Sequence, residues 1–421
     1  MTGGVRIAVT LAVFAAMLVL VALRPRRWHE AWWTVGGGAA MLALGLVTPR
    51  EALDAALAGK NALLFLVSLL ALSVLVGKSG FFDWAAIQCA RASAGRTRLL
   101  YRNMFLLGAA ITAVMSLDTT AVMLTPVVLA CARRLERPTA PFVVLCVFIA
   151  NVGSLLLPIS NLTNLLLADT FELSFAAFAA RMIVPQVLAL ATTYALLRWR
   201  FKGELGAWFA VSKLPPLDGV VRHRGYFRVC VIVLGGVLGG YFVAPLFDLE
   251  PYVVAFAGVA ILAIAGAATQ QVRVQAIREM SWSVFPLVIG LFVAVQGLEN
   301  LGIVGPAAAW LARQGGHPAL QLGAVAGATT VASNVMNNLP AALLARSTLA
   351  AAHADPRLAL AALAGADVGA LLMPLGSLAT ILVLTLARKA GAELPVRALI
   401  KLALWMTPLI LLATVLPLLL L

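Results

Sequence analysis

Charge is what this chain has least of. Only 11% of its 421 residues are Asp, Glu, Lys or Arg, against about 25% in an ordinary soluble domain. Acid is scarcer than base, with 17 carboxylates against 31 Lys and Arg. With 62% hydrophobic residues and a mean hydropathy of +0.99, the chain has far more apolar surface than a soluble fold of its length can bury. Cysteine and histidine are equally sparse, at four each. Cys89, Cys131, Cys146 and Cys230 have no paired spacing, which excludes a disulfide framework and a zinc site. His29, His223, His317 and His353 all fall between apolar runs, so no buried imidazole relay is expected. No long polar stretch exists either. The longest, roughly 198–228, is too small to fold alone, so a soluble catalytic domain is excluded and no enzyme is expected. Gly77-Lys78-Ser79 ends like a phosphate-binding loop, but position 72 is Leu rather than Gly, so no ATP site follows. Nothing asks for a cofactor or a metal.

What is present is one apolar run after another. Spans of membrane length read at about 5–23, 31–47, 61–77, 141–168, 175–197, 229–247, 252–268, 283–300, 358–387 and 402–420. Two more stretches, 103–132 and 319–350, are interrupted near the middle. Ser116, Asp118, Thr119 and Thr120 break the first; Ser333, Asn334, Asn337, Asn338 and Pro340 break the second. A polar turn at that depth must be buried in protein or face water, so each stretch reads as a re-entrant hairpin. The distribution of cations agrees. With ten spans, two hairpins and an extracytoplasmic N-terminus, 24 Lys and Arg fall on the cytoplasmic side and 7 on the other. The net charge of +14 is then a matter of topology and lipid headgroups, not of nucleic acid. Arg24, Arg26 and Arg27 follow the first span without a small-residue cleavage site, so that span is read as retained, and Trp28, Trp32 and Trp33 sit where an aromatic belt belongs. Residues 81–102 read as a basic amphipathic surface helix.

The most informative pattern is internal. Residues 150–167, ANVGSLLLPISNLTNLLL, match residues 366–383, ADVGALLMPLGSLATILV, at 8 of 18 positions with an offset of 216. The shared Gly153/Gly369 and Pro158/Pro374, each followed by small polar residues, carry more weight than shared leucines. The chain therefore divides into an N-terminal repeat (1–200, hairpin 103–132, broken helix 141–168), a basic cytoplasmic linker (201–228) and a C-terminal repeat (229–421, hairpin 319–350, broken helix 358–387). Five spans plus one hairpin per half make the repeats inverted. The fold class is an all-α polytopic membrane protein whose broken helices meet at the midplane, the pattern of secondary transporters.

Unwound backbone flanked by hydroxyls and amides offers donors and acceptors without fixed charge. The candidate substrate ligands are Ser116, Asp118, Thr119, Thr120, Asn151, Ser160, Asn161, Thr163, Asn164, Asn334, Asn337, Asn338, Ser377 and Thr380. Any one of these could simply glue helices together; breaks paired by the repeat favour a site. Asp118 and Asp367 are the two acidic residues well inside apolar stretches, and such groups default to proton, ion or substrate handling. One carboxyl in each half could bind and release a proton as access alternates.

At Ser116-Leu-Asp-Thr-Thr through Pro126, Pro158-Ile-Ser-Asn-Leu-Thr-Asn164, Ser333-Asn-Val-Met-Asn-Asn-Leu-Pro340 and Pro374-Leu-Gly-Ser-Leu-Ala-Thr380, the chain resembles the ion transporter superfamily. Within it the resemblance is to arsenite efflux permeases of the ArsB type. It implies extrusion of trivalent arsenic or antimony as neutral hydroxides across the cell membrane, driven by protons. It also implies a scaffold able to dimerise and, in some hosts, coupling to a separate soluble arsenite-stimulated ATPase. Two motifs depart from that family: its Asn-Asp-Gly is here Leu117-Asp118-Thr119, and its Gly-Pro-Lys is Gly369-Ala370-Leu371. The alternative cargo on the same architecture is sodium, in a sodium/proton antiporter or a sodium-coupled anion carrier.

Overall fold

The computed structural model describes residues 3–23, 29–216, 219–273, 275–314 and 317–421. Arg24, Arg26, Arg27 and Trp28 lie outside the described residues. Among the described residues there is no strand, only an isolated Arg96–Trp208 bridge. The first half runs α1 (Gly3–Leu23), α2 (Glu30–Ala43), α3 (Pro49–Ala58), α4 (Lys60–Lys78), α5 (Phe81–Arg91), α6 (Thr97–Val114), α7 (Leu117–Thr119), α8 (Thr125–Arg134), α9 (Ala140–Val152), α10 (Leu162–Thr170) and α11 (Phe175–Arg200). The second half runs α12 (Arg224–Val243), α13 (Pro251–Ala268), α14 (Gln275–Arg278), α15 (Val284–Glu299), α16 (Val304–Arg313), α17 (Pro318–Met336), α18 (Asn338–Ala351), α19 (Pro356–Asp367), α20 (Leu378–Lys389) and α21 (Val396–Val415). Six described helices are long and apolar enough to cross a membrane, and α15 with α16 forms a further pair bent by 72°.

Both interrupted stretches fold as helical hairpins. The first turns at Met115-Ser116 between α6 and α7, and a five-residue π turn at Thr120–Leu124 joins α7 to α8. The second turns at Asn337, whose backbone has φ 79°, between α17 and α18. Asn is among the few residues that tolerate positive φ, and its side-chain oxygen accepts from the Leu339 N–H at 3.5 Å to cap the second arm.

The segments 49–58 and 304–313, which fall between the apolar spans, are both helices. Thr48 and Glu51 form a capping box, with the Thr48 hydroxyl accepting at 3.2 Å and the Glu51 carboxylate at 2.7 Å, and Pro49 sits at the first helical position. The second extra helix, α16, stands between α15 and a hairpin, as α5 stands between α4 and a hairpin in the first half. The first hairpin also begins at Thr97 rather than at 103, where the amphipathic surface helix was expected to continue. That helix ends early, at Arg91, because Ala94 and Gly95 turn the chain at positive φ.

The cation-rich segments meet on one face. Arg91 donates to the Pro215 carbonyl at 2.9 Å, Arg134 to the Lys213 carbonyl at 2.8 Å, and Lys213 pairs with Glu136 at 2.6 Å. The Lys213 ammonium beside it holds the Glu136 carboxyl below the usual carboxylate range. Lys78 pairs with Glu279 at 2.5 Å on the same side of α4. Arg96, Arg134 and the 201–216 stretch therefore share one end of the molecule.

Within the core, α9 packs against α20 and α10 against α19, so the broken helices lie crosswise. Each hairpin braces them twice. The first arm of each lies on the leading segment of its own half's broken helix (α6 on α9, α17 on α19), and the returning arm reaches the trailing segment of the other half's (α8 on α20, α18 on α10). A second cluster joins α1, α2 and α15, where Gly290 lets two backbones touch: a Cβ there would lie 2.5 Å from the Thr34 carbonyl carbon.

Candidate functional site

The two breaks have the same backbone. In the first, 3-10 turns at Gly153–Leu155 and Pro158–Ser160 flank an extended Leu157 (φ −122°, ψ 149°), and an extended Asn161 (φ −152°, ψ 146°) precedes α10. In the second, turns at Gly369–Leu372 and Pro374–Gly376 flank Met373 (φ −128°, ψ 142°), and Ser377 (φ −141°, ψ 132°) precedes α20. The extended residues are separated by the same 216 positions as the sequence match. Proline explains the placement: it lacks the donor a continuing helix needs, and it disfavours helical backbone in the residue before it.

Asp367 is the centre of the site. It ends α19 with no exposed surface. Its Oδ1 accepts from Asn161 Nδ2 at 2.8 Å and from Asn338 Nδ2 at 3.3 Å, and the Thr163 hydroxyl lies 3.2 Å from both oxygens. Asn161 and Thr163 belong to the first turn of α10, and Asn338 opens α18. One carboxylate thus ties both broken helices to the second hairpin, and the positive ends of two helices face it. A buried carboxylate is tolerable only with such donors.

The position matching Asp367 in the first half is Asn151. Its Nδ2 donates to the Thr380 hydroxyl at 3.1 Å across the same crossing, and to Val147 at 2.9 Å. Its Oδ1, the Asn164 Oδ1 and the Ser377 hydroxyl are buried with no hydrogen-bond partner among the described residues.

Other expected ligands are divided between the crossing and structural work. Asn164 spends its amide on the carbonyls of Ser154 (2.6 Å) and Leu157 (3.0 Å), which break one left open. Asn334 gives both ends to backbone: Nδ2 to Thr330 (2.7 Å) and Gly369 (2.8 Å), Oδ1 to the Met373 N–H (2.8 Å). Asn337 donates to Leu375 at 3.1 Å, and Ser160 to Ala113 at 2.7 Å, so each fastens a hairpin to a break. Thr120 pairs with Thr112 at 2.7 Å inside the first hairpin. Ser116 accepts from the Thr119 N–H at 3.2 Å, and the Thr119 hydroxyl meets Ser73 of α4 at 2.6 Å.

Asp118 differs from Asp367. It is half-buried, has no hydrogen bond to a described residue, and lines two cavities of about 90 and about 60 Å³. The first cavity also reaches Asn161, Asn337 and Asn338; the second reaches Glu279. The two deep carboxylates are therefore not equivalent: one is fully partnered, the other faces open space between the hairpin tips. Arg181 lies on α11, and Arg346 borders a small cavity with Glu299, which hydrogen-bonds Ser347.

Sequence reasoning missed Gln186 and Ser73. Gln186 of α11 accepts from the Leu155 N–H at 3.0 Å and donates to the Val152 carbonyl at 2.8 Å, closing the first break from outside. Its signal was a lone amide in an apolar run, directly after Pro185. The four cysteines lie in α5, α8, α9 and α12, and none falls in a break.

A helical bundle with crossed broken helices braced by hairpins is the framework of a multi-pass membrane transport protein. The particular family follows from comparison: residues 8–421 match the family of the arsenical pump membrane protein, and the chain belongs to it. It is 30% identical over 385 residues to the arsenical pump membrane protein of Yersinia enterocolitica, covering 88% of this chain and 89% of the relative. The arsenical pump membrane protein of Escherichia coli is 29% identical over 381 residues, with 88% and 89% covered. Among solved structures, the YdaH transporter of Alcanivorax borkumensis, described as having an unusual topology, shares the fold at a TM-score of 0.60 and 16% identity, covering 99% of this chain and 97% of that one.

Proposed function

We propose that this protein exports trivalent metalloid, arsenite or antimonite, across the cytoplasmic membrane in exchange for protons, by alternating access. Membership of the arsenical pump family supports the cargo. The observation that carries the mechanism is Asp367, a fully buried carboxylate held by Asn161, Thr163 and Asn338 from two other helices. Protonation removes the charge that attracts those donors and loosens the joint between broken helices and hairpin. Loss of the proton restores it. The halves act as inverted repeats, supported by their shared element order and break geometry. The cation-rich face is cytoplasmic, which leaves the N-terminus outside. Trivalent arsenic hydroxide is neutral and carries three O–H donors. The unpaired Asn151 and Asn164 oxygens and the Ser377 hydroxyl supply matching acceptors without a thiol that would hold the cargo too tightly.

Expression in a host lacking arsenite efflux should raise tolerance to arsenite and antimonite and lower cellular arsenic. Unchanged tolerance, with the protein present in the membrane, would overturn the cargo assignment. A variant with Cys89, Cys131, Cys146 and Cys230 replaced by Ala or Ser should transport at a rate close to that of the parent, because no thiol lies in a break. A folded cysteine-free form that cannot transport would show that thiol coordination is part of the path. The same unpaired oxygens favour a second reading, sodium coupling. Proteoliposomes separate the two: export should follow an imposed pH gradient and ignore an imposed sodium gradient.

A further inference from the structure

We infer that a groove between α4 and α13 binds one anionic phospholipid of the leaflet on the cation-rich face, with its phosphate on Arg273. The groove has a volume of about 740 Å³. Ala71, Val74 and Leu75 form one wall and Val259, Ala263 and Ala267 the other. Val259 to Ala267 covers about 12 Å of helix, close to the roughly 15 Å of hydrocarbon in one leaflet. The groove therefore accommodates an acyl chain lying along the helices. Its open flank is already lipid-facing, since Ile264 beside it is 71% exposed.

The end of the groove is chemically different. Beyond α13 the chain reverses at Gln270 (φ 55°), and the N–H groups of Gln271 and Val272 both return to the Gly266 carbonyl, at 2.9 and 3.0 Å. Gly266 permits this turn, because a Cβ there would lie 2.4 Å from Val272 Cγ2. The reversal sets Arg273 at the mouth of the groove, exposed and without an acidic partner among the described residues. Glu279, the carboxylate on the adjoining segment, is already taken by Lys78 at 2.5 Å. That bridge also holds Ala276 and Met280 as the groove's floor. An apolar slot of one-leaflet length, ending at an unpaired guanidinium, fits a two-part ligand: an apolar tail with an anionic head.

The groove runs beside a packed helix pair, α4 on α13. In the second half the corresponding pair in element order, α15 and α2, is in backbone contact at Gly290 and Thr34. α4 and α13 also touch each other, and the flank beside that contact stays open as the groove. The opposite side of α4 contacts the first hairpin through Ser73 and Thr119, so a lipid in the groove would bear on the helix that holds Asp118's hairpin.

The test uses the purified full chain in detergent, with phosphatidylglycerol, phosphatidylcholine and inorganic phosphate as probes. Native mass spectrometry should show one phosphatidylglycerol retained per chain, preferred about fivefold over phosphatidylcholine, the preference expected of one basic residue at the surface. Phosphatidylglycerol should also raise the unfolding temperature more than phosphatidylcholine does, and inorganic phosphate should not. R273Q, an exposed change, should bind both lipids equally; A263W should fill the slot and lose retention of either. Equal retention of the two lipids by the parent overturns the proposal, as does a preference that survives in R273Q. A stabilisation by inorganic phosphate matching that by phosphatidylglycerol overturns it too, since it would mark a free-phosphate site. If A263W does not fold, R273Q alone decides.

Discussion

Asp367→Asn is expected to insert, fold and keep its thermal stability to within about 1 kcal/mol, yet to export metalloid against a gradient at background rate. The geometry allows this separation. Asn161 and Asn338 both donate to Oδ1, and an asparagine oxygen can take that place. The new amide then donates to the Thr163 hydroxyl, which can accept as well as donate. Each donor keeps a partner, while the charge and the titratable proton are lost. Asp118→Asn is expected to lose uphill export with still less effect on stability, because the Asp118 side chain has no hydrogen bond to a described residue to disturb. The measurement is metalloid flux in proteoliposomes under an imposed pH gradient, with downhill exchange as the control for folding. If both variants export uphill at the parent's rate with the same pH dependence, the carboxylates are structural and the proposed coupling fails.

Gly365→Ala is expected to destabilise the protein strongly for a single added methyl group. Gly365 lies on α19, one turn from the break, against α17 of the second hairpin. A Cβ there would sit 2.0 Å from the Thr329 hydroxyl and 2.3 Å from the Ala326 carbonyl oxygen. Thr329 can turn away, but the carbonyl belongs to helix backbone and cannot. The hairpin must separate from the broken helix, which strains the Asn334 links to Gly369 and Met373 that fasten it there. Overpacking of this kind costs about 1–3 kcal/mol, and the lost hydrogen bonds add to it. Gly323→Ala on the same α17 meets nothing within 4 Å. It should be neutral or stabilising by up to about 1 kcal/mol. Unfolding temperature and the yield of monodisperse protein compare the pair. Equal stability would mean that α17 and α19 are not packed as described.

Much of this was legible in the residues. Low charge and continuous apolar runs dictate a membrane protein, because only that solvent accepts such a surface. The breaks were legible because proline and small polar side chains act on backbone locally, and the match at an offset of 216 fell on residues that adopt the same angles in both halves. Asp118 and Asp367 stood out because an ionisable group at depth is costly wherever it points. The helix α16 was hidden for the opposite reason: it is short and amphipathic, and only its place before a hairpin, like that of α5, reveals it.

Partnership was decided by the tertiary structure alone. Nothing in the order of residues says that Asp367 is clasped by Asn161, Thr163 and Asn338 while the Asp118 side chain has no hydrogen bond to a described residue. Nor does it say that Asn334 spends its whole side chain on backbone while Asn151 and Asn164 each keep an oxygen without a partner among the described residues. Hydropathy and local conformation depend on neighbours in sequence, so a single chain displays them. Hydrogen-bond direction depends on which distant segments cross, and that is fixed only when helices more than 200 residues apart, such as those carrying Asn161 and Asp367, are packed side by side.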